Sequence, residues 1–185
     1  GLRIGFSTSL VKKSLAKYGN KKLYEIENIW NGLECPYENL FLWLENKGSY
    51  PSIDASKTFH SFMLATSFDE DLIEHIKLSN DYYFEYKWDG IRVQLVAKNG
   101  STTIFSRSGE DISNSFPEIK INCSELLVLD GEMLVGQNCL PLPFNQLQKR
   151  INKKKPSKKL LSELPAFVKV YDILYLSGKD IRNRT

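Results

Sequence analysis

The sequence predicts an α+β chain: a mostly antiparallel or mixed β-sheet domain preceded by a small helical segment. Three observations carry this. Residues 1–48 set apolar side chains at helical spacing. From Tyr82 onward the apolar residues come in strand-length runs broken by turn signals, Asn99-Gly100 being the strongest. The runs lack the regular strand–helix alternation of a doubly wound parallel sheet.

Each element has its own local reason. Ser7, Thr8 and Ser9 can cap a first helix that carries Leu10, Val11, Leu15 and Tyr18 and stops at Gly19. A second helix over Lys22–Trp30 sets Leu23, Ile26, Ile29 and Trp30 on one face. A third starts near Pro36 and carries Leu40, Phe41, Trp43 and Leu44 before Gly48. Three short helices make a weak core alone, so residues 1–48 are expected to be the end of a larger helical domain. Residues 49–62, SYPSIDASKTFHSF, break the periodicity with Pro51 and serines and are expected to be a linker to a domain over 63–185. Within that domain a helix is expected over Asp69–Leu78. Strands are expected over Tyr82–Trp88, Ile91–Ala97, Ser101–Arg107, Leu126–Val135 and Phe167–Leu176, the last closing on Ser177-Gly178. Phe144–Ile151 has helical spacing.

Composition excludes several classes. No apolar run approaches the roughly 20 residues of a membrane-spanning helix, and the Gly1-Leu2-Arg3-Ile4 start does not read as a signal peptide. Cys35, Cys123 and Cys139 form no C-x-x-C and His60 and His75 no ligand pair, so neither a disulfide framework nor a zinc site is expected. Reduced thiols suit a cytoplasmic, nucleoid-associated location, or a nuclear one in a eukaryote. The net charge of +3 is unevenly spread: Lys149, Arg150, Lys153, Lys154, Lys155, Lys158 and Lys159 contribute seven positive charges, which leaves the remainder at −4. A local basic surface of this kind suits a polyanion.

Four constellations can carry chemistry. Lys87 lies in EYKWDGIR, between two β-rich stretches. Flanked by Tyr86 and Trp88, it is expected to be partly desolvated, which lowers an ammonium pKa and exposes a nucleophilic lone pair. Asp89-Gly90 allows close backbone approach to a phosphate, and Arg92 can return beside Lys87 to clamp phosphate or ribose oxygens. A solvated hairpin lysine is the alternative. Phe105-Ser106-Arg107-Ser108-Gly109-Glu110 ends a strand and opens a loop, where functional residues concentrate. Asp130-Gly131-Glu132 puts two carboxylates inside an apolar strand, which is costly unless they hold a metal ion, a ribose or an arginine. In Val170-Tyr171-Asp172, Tyr171 could offer a ring face to a purine and Asp172 a buried acceptor; an ordinary core aromatic is the alternative.

Taken in order, EYKWDGIR, FSRSGE, LDGEM and VYDILYLSGKDIR resemble the successive nucleotidyltransferase motifs of ATP-dependent DNA ligases. PFNQLQKRINKKKPSKKLLSELP resembles the basic helix and following segment of bacterial three-domain members, and GLRIGFSTSLVKKSLAKYG the last part of their helical DNA-binding domain. The resemblance implies an ATP-grasp-like adenylation domain that seals nicks in double-stranded DNA, in repair, replication or recombination, with ATP and Mg²⁺ and as a monomer. It implies that Lys87 is the adenylated nucleophile. Glu85 would recognise the adenine amino group, with the Tyr86 backbone beside it. Arg92 would contact ribose or the transferred phosphate, and Arg107 the nucleotide pocket or a DNA phosphate. Glu132 would hold the ribose or help seat Mg²⁺, and Tyr171 would stack on adenine. Asp89 and Asp130 would shape the site. The basic cluster from Lys149 to Lys159 would bind DNA phosphates without reading sequence.

The resemblance stops short of the family's downstream motifs and OB-fold domain, so the 185 residues are expected to be a piece of something longer, inactive when isolated. The alternatives are an RNA ligase or mRNA-capping guanylyltransferase, which share the K-x-D-G lysine, and a non-catalytic DNA-binding module.

Overall fold

The computed structural model describes residues 5–60, 62, 76, 84–151 and 153–182. Of the elements expected from sequence, the helix over Asp69–Leu78 lies, Ile76 apart, outside the described residues, as do Tyr82 and Tyr83.

Three helices open the chain: α1 (Thr8–Gly19), α2 (Leu23–Trp30) and α3 (Glu38–Leu44). The Ser7 hydroxyl accepts from the Leu10 N–H at 3.2 Å and satisfies one orphan donor of α1. The left-handed residue that ends α1 is Asn20, at φ 47°, rather than Gly19. Gly19 serves packing instead, since a Cβ there would sit 2.5 Å from Leu44 Cδ2. Ala16, Ile26, Ile29, Leu40, Trp43 and Leu44 form the core, each worth roughly 1.5–3 kcal/mol of burial for a large side chain. The α2 face matches its expected pattern. That of α1 does not: Leu10, Val11 and Tyr18 are exposed, and Lys12, Ala16 and Gly19 are buried. The small Ala16 and Gly19 let α1 approach α2 and α3 closely, and this outweighs the wider apolar stripe.

The sheet is antiparallel throughout, in the order β2-β1-β3-β5-β6 with β4 on the end of β3. Its strands are β1 (Ile91–Lys98), β2 (Ser101–Ser106), β3 (Leu127–Gln137), β4 (Leu140–Pro141), β5 (Ala166–Leu176) and β6 (Lys179–Asp180). Asn99-Gly100, at φ 50° and 73°, joins β1 to β2, and Ser177-Gly178, at φ 50° and 73°, joins β5 to β6. Both central residues of each turn have positive φ, which matches the twist of the flanking strands. The strand expected over Tyr82–Trp88 is absent in its described part: Phe84–Trp88 has no regular structure. β1 already has β2 and β3 on its two edges, so no sheet position beside it remains.

Side chains alternate along β1. Val93 and Leu95 enter a core with Ile104, Phe116, Met133, Val135, Leu147 and Leu164, covered by α4 (Phe144–Ile151) and α5 (Lys158–Glu163). Val96 enters a second core with Phe59, Phe105, Val128 and Leu174. The expected linker is therefore packed. It carries a 3-10 turn, η1 (Ala55–Lys57), and buries Pro51, Ser56, Phe59 and His60. Gln94, fully buried, accepts the His60 N–H at 2.7 Å and donates to the His60 carbonyl at 2.9 Å, as one strand edge would to another.

Candidate functional site

The segment Glu85–Gly90 runs into β1 along one end of a cleft of about 1620 Å³, above the range of typical small-molecule pockets. Glu85, Tyr86 and Lys87 line it from that segment, Arg92 from β1, Arg107 from the loop after β2, Glu132 from β3 and Tyr171 from β5. Residues separated by 86 positions along the chain thus reach one space because the sheet sets β1, β3 and β5 side by side.

The floor is built by register. Arg92 pairs across the ladder with Glu132, and Glu132 with Lys169, so the three share one face of the sheet. Asp130 stands two residues from Glu132 on that face and is fully buried. Arg92 Nε donates to Asp130 Oδ1 at 3.1 Å and Nη2 to Oδ2 at 2.5 Å, a bidentate fork. Of the roles open to the carboxylate pair, Asp130 takes that of arginine holder. The β3–β5 register shifts between Asp130 and Gly131, and Tyr171 occupies the extra position. Its ring lies 5.6 Å from the Arg92 guanidinium and its hydroxyl bonds to Asp130.

Gly90 fits because it has no side chain: a carbon built there would collide with the Met133 carbonyl. Its N–H donates to Glu132 Oε1 at 3.2 Å, which ties the lysine-bearing segment to β3. Trp88 is half-buried, with its ring 5.8 Å from that of Tyr86 and the Lys169 ammonium 5.4 Å above it.

Burial sets the electrostatics. It pushes the Asp130 carboxyl upward, opposed by Arg92. It raises the Glu132 carboxyl, opposed by the Gly90 N–H and by Arg92. Burial, then the Asp130 charge, raises the Tyr171 hydroxyl well above its ordinary range. The desolvation expected at Lys87 is not there: the side chain is exposed, and Tyr86 beside it is 87% exposed. The open segment leaves both outside the packed sheet.

The basic cluster divides. Lys149, Lys153, Lys154, Lys155, Lys158 and Lys159 are exposed, and Lys154 lines the cleft. Arg150 contradicts the DNA-contact expectation because it is 0% exposed. Its Nη1 donates to the Leu164 carbonyl at 2.6 Å, and its Nη2 to the Ser115 carbonyl at 2.7 Å and to Glu118 Oε2 at 3.0 Å. Sequence reasoning gave Trp88 only a flanking role beside Lys87 and missed Ser115 and Lys169. Trp88, adjacent to Lys87, carried a local signal, whereas Ser115 and Lys169 depend on distant pairings.

This arrangement offers an amine, guanidinium groups, a carboxylate and an aromatic face around one space, a set suited to binding and transferring a phosphoryl-bearing nucleotide. The profile of the ATP dependent DNA ligase domain matches residues 62–185, well over half of the chain. The chain belongs to the ATP-dependent DNA ligase family. A probable DNA ligase of Koribacter versatilis is 32% identical over 99% of this chain, and a DNA ligase of Methanothrix thermoacetophila 28% identical over 97%. The chain spans about a third of the length of these curated relatives, 32% and 33%. Among solved structures, a mycobacterial DNA ligase D complexed with ATP and MES superposes with a TM-score of 0.41 at 28% identity, covering 52% of this chain and 30% of that one. No helix among the described residues is long and apolar enough to cross a membrane.

Proposed function

We propose that this chain carries the lysine-adenylating part of a DNA ligase that seals nicks in double-stranded DNA. The observation that supports it is the convergence of Lys87 with Glu85, Tyr86, Arg92, Arg107, Glu132 and Tyr171 on one cleft in a chain of this family. The Lys87 amine, once deprotonated, attacks the α-phosphorus of ATP. An N–P bond forms, the bond from that phosphorus to the β-phosphate oxygen breaks, and pyrophosphate leaves. AMP then passes to the 5′-phosphate of a nick, and the 3′-hydroxyl displaces it as the phosphodiester forms.

The other residues bind and orient. Tyr171 and Tyr86 flank the base and Glu85 accepts from the adenine amino group. Arg92 is braced by Asp130, so it meets ribose or phosphate oxygens as a fixed fork with little left to order. Arg107 neutralises a phosphate of the nucleotide or of DNA. Exposure of Lys87 keeps the nucleophile within reach of both ATP and a DNA end. Among the described residues no three acids or histidines gather into a metal cage. A lone carboxylate beside substrate phosphates is nevertheless a donor set that Mg²⁺ uses, and Glu132 fits it. The ion would supply charge neutralisation at the phosphates. The exposed lysines from Lys149 to Lys159 track the DNA backbone, the linker and helices of residues 1–62 flank the adenylation domain of 63–185, and the protein works as a monomer.

Incubating the full-length protein with α-labelled ATP or GTP tests this. ATP is expected to leave an acid-labile, hydroxylamine-sensitive AMP adduct, abolished by Lys87→Ala while nicked-duplex binding persists. An adduct from GTP instead identifies a capping-type transferase, and an adduct that survives Lys87→Ala sinks the assignment of the nucleophile.

A further inference from the structure

The cations between Lys149 and Lys159 have separate fates. Arg150 is internal, Lys149 donates to Gln146 at 2.6 Å, and Lys159 lies 3.8 Å from Glu163. Lys154 alone of the cluster lines the cleft, and among the described residues it has no hydrogen bond or ion pair. Its position follows from a fixed post. The Ser115 hydroxyl donates to the Ile151 carbonyl at 3.2 Å, and Ser115 and Ile151 line the cleft with it. Arg150 grips the Ser115 and Leu164 carbonyls and pairs with Glu118, whose Oε1 also accepts the Ala166 N–H at 3.1 Å. The Lys153 N–H closes back on the Arg150 carbonyl at 3.0 Å, so the chain leaves α4 from an anchored turn one residue before Lys154.

Four acids line the cleft, Glu85, Glu110, Asp111 and Glu132, and none pairs with Lys154 among the described residues. Asp111 accepts the Ser113 N–H at 2.9 Å and its hydroxyl at 2.5 Å, and Glu132 accepts from Gly90. An ammonium without a carboxylate partner, in a cleft that also holds Lys87 and Arg107, attracts a phosphate.

We propose that Lys154 is a phosphate ligand of the nucleotide cleft, set apart from the exposed lysines around it, with the Arg150–Glu118 pair as its positioning device. The proposal rests on the ligase reading. The phosphate belongs either to the leaving pyrophosphate of ATP or to the 5′ end of the nick, and one experiment separates these sources. The full-length protein and its Lys154→Ala, Lys154→Arg and Lys159→Ala variants are compared in two measurements. One is the KM for ATP in AMP labelling. The other is the ratio of affinities for nicked duplexes bearing a 5′-phosphate or a 5′-hydroxyl.

Lys154→Ala is expected to move one of the two by about tenfold, the scale of one lost charge-assisted bond, with partial recovery in Lys154→Arg. A raised KM with the end preference intact identifies the ATP phosphates. A lost preference with KM intact identifies the nick phosphate. Lys159→Ala should weaken both duplexes alike and leave the ratio and KM unchanged. If Lys154→Ala behaves as Lys159→Ala does while the parent protein labels normally, the proposal is overturned and the ligase reading stands. A parent protein that takes no AMP overturns the ligase reading itself.

Discussion

In the helical region Lys12 is 6% exposed, and its ammonium has the Trp30 ring 5.6 Å away and the Glu27 charge nearby, with no hydrogen bond among the described residues. In the sheet region Arg150 is 0% exposed and engages two carbonyls, the Glu118 carboxylate and the Phe116 ring. The difference lies in what surrounds the charge. A helix can lay the apolar stem of a lysine along its neighbours and leave the head near the surface, so the burial is shallow and replaceable. Where strands and loops from distant parts of the chain converge, orphan carbonyls must find donors, and one arginine satisfies several at once. Asp130 and Gln94 follow the second pattern: both are fully buried and each makes more than one hydrogen bond.

The largest effect should come from Arg150→Ala. Removing the buried guanidinium leaves the Ser115 and Leu164 carbonyls without their donor and Glu118 without its partner, a loss of about 2–4 kcal/mol in denaturant unfolding. A loss under about 1 kcal/mol would break the contrast with Lys12.

Next is the pH response of His60. Burial, then the nearby Arg182 charge, holds its imidazole down at about 4, and its Nε2 has no partner among the described residues. The folded state therefore favours the neutral ring. The stability this contributes is complete above the ordinary value near 6.5 and is lost as pH falls toward 4, by roughly 3 kcal/mol over the window. His60→Phe should flatten that part of the stability–pH curve, and an unchanged slope would show that His60 is hydrated.

The smallest effect belongs to Lys12→Met. Burial already pushes the Lys12 ammonium down, so exchanging it for an unbranched apolar chain of similar length should stabilise by up to ~1 kcal/mol. Marked destabilisation would mean that the Lys12 ammonium is held as firmly as the Arg150 guanidinium and would erase the distinction between the two regions.

Features whose causes are local were legible in the primary sequence alone. Asn99-Gly100 reads as a turn because asparagine and glycine tolerate positive φ, and it is one; Ser177-Gly178, read as the end of the last strand, is where β5 ends. The α2 face follows from spacing alone, and the order of the four motifs sufficed to name the family that the chain belongs to. Tertiary structure decided the rest. Lys12 replaced Leu10 and Val11 on the inner face of α1 because Ala16 and Gly19 allow closer packing than a broader stripe, a choice visible only with α3 in position. Arg150 and Lys154 look alike in a basic run, yet one is walled in by Ser115, Glu118 and Leu164 and the other lines the cleft. Asp130 meets Arg92, 38 positions away, because antiparallel register sets Arg92 opposite Glu132 and leaves Asp130 two residues along the same face. Charge and hydropathy are properties of single residues, whereas burial and pairing belong to the surfaces that fold against them.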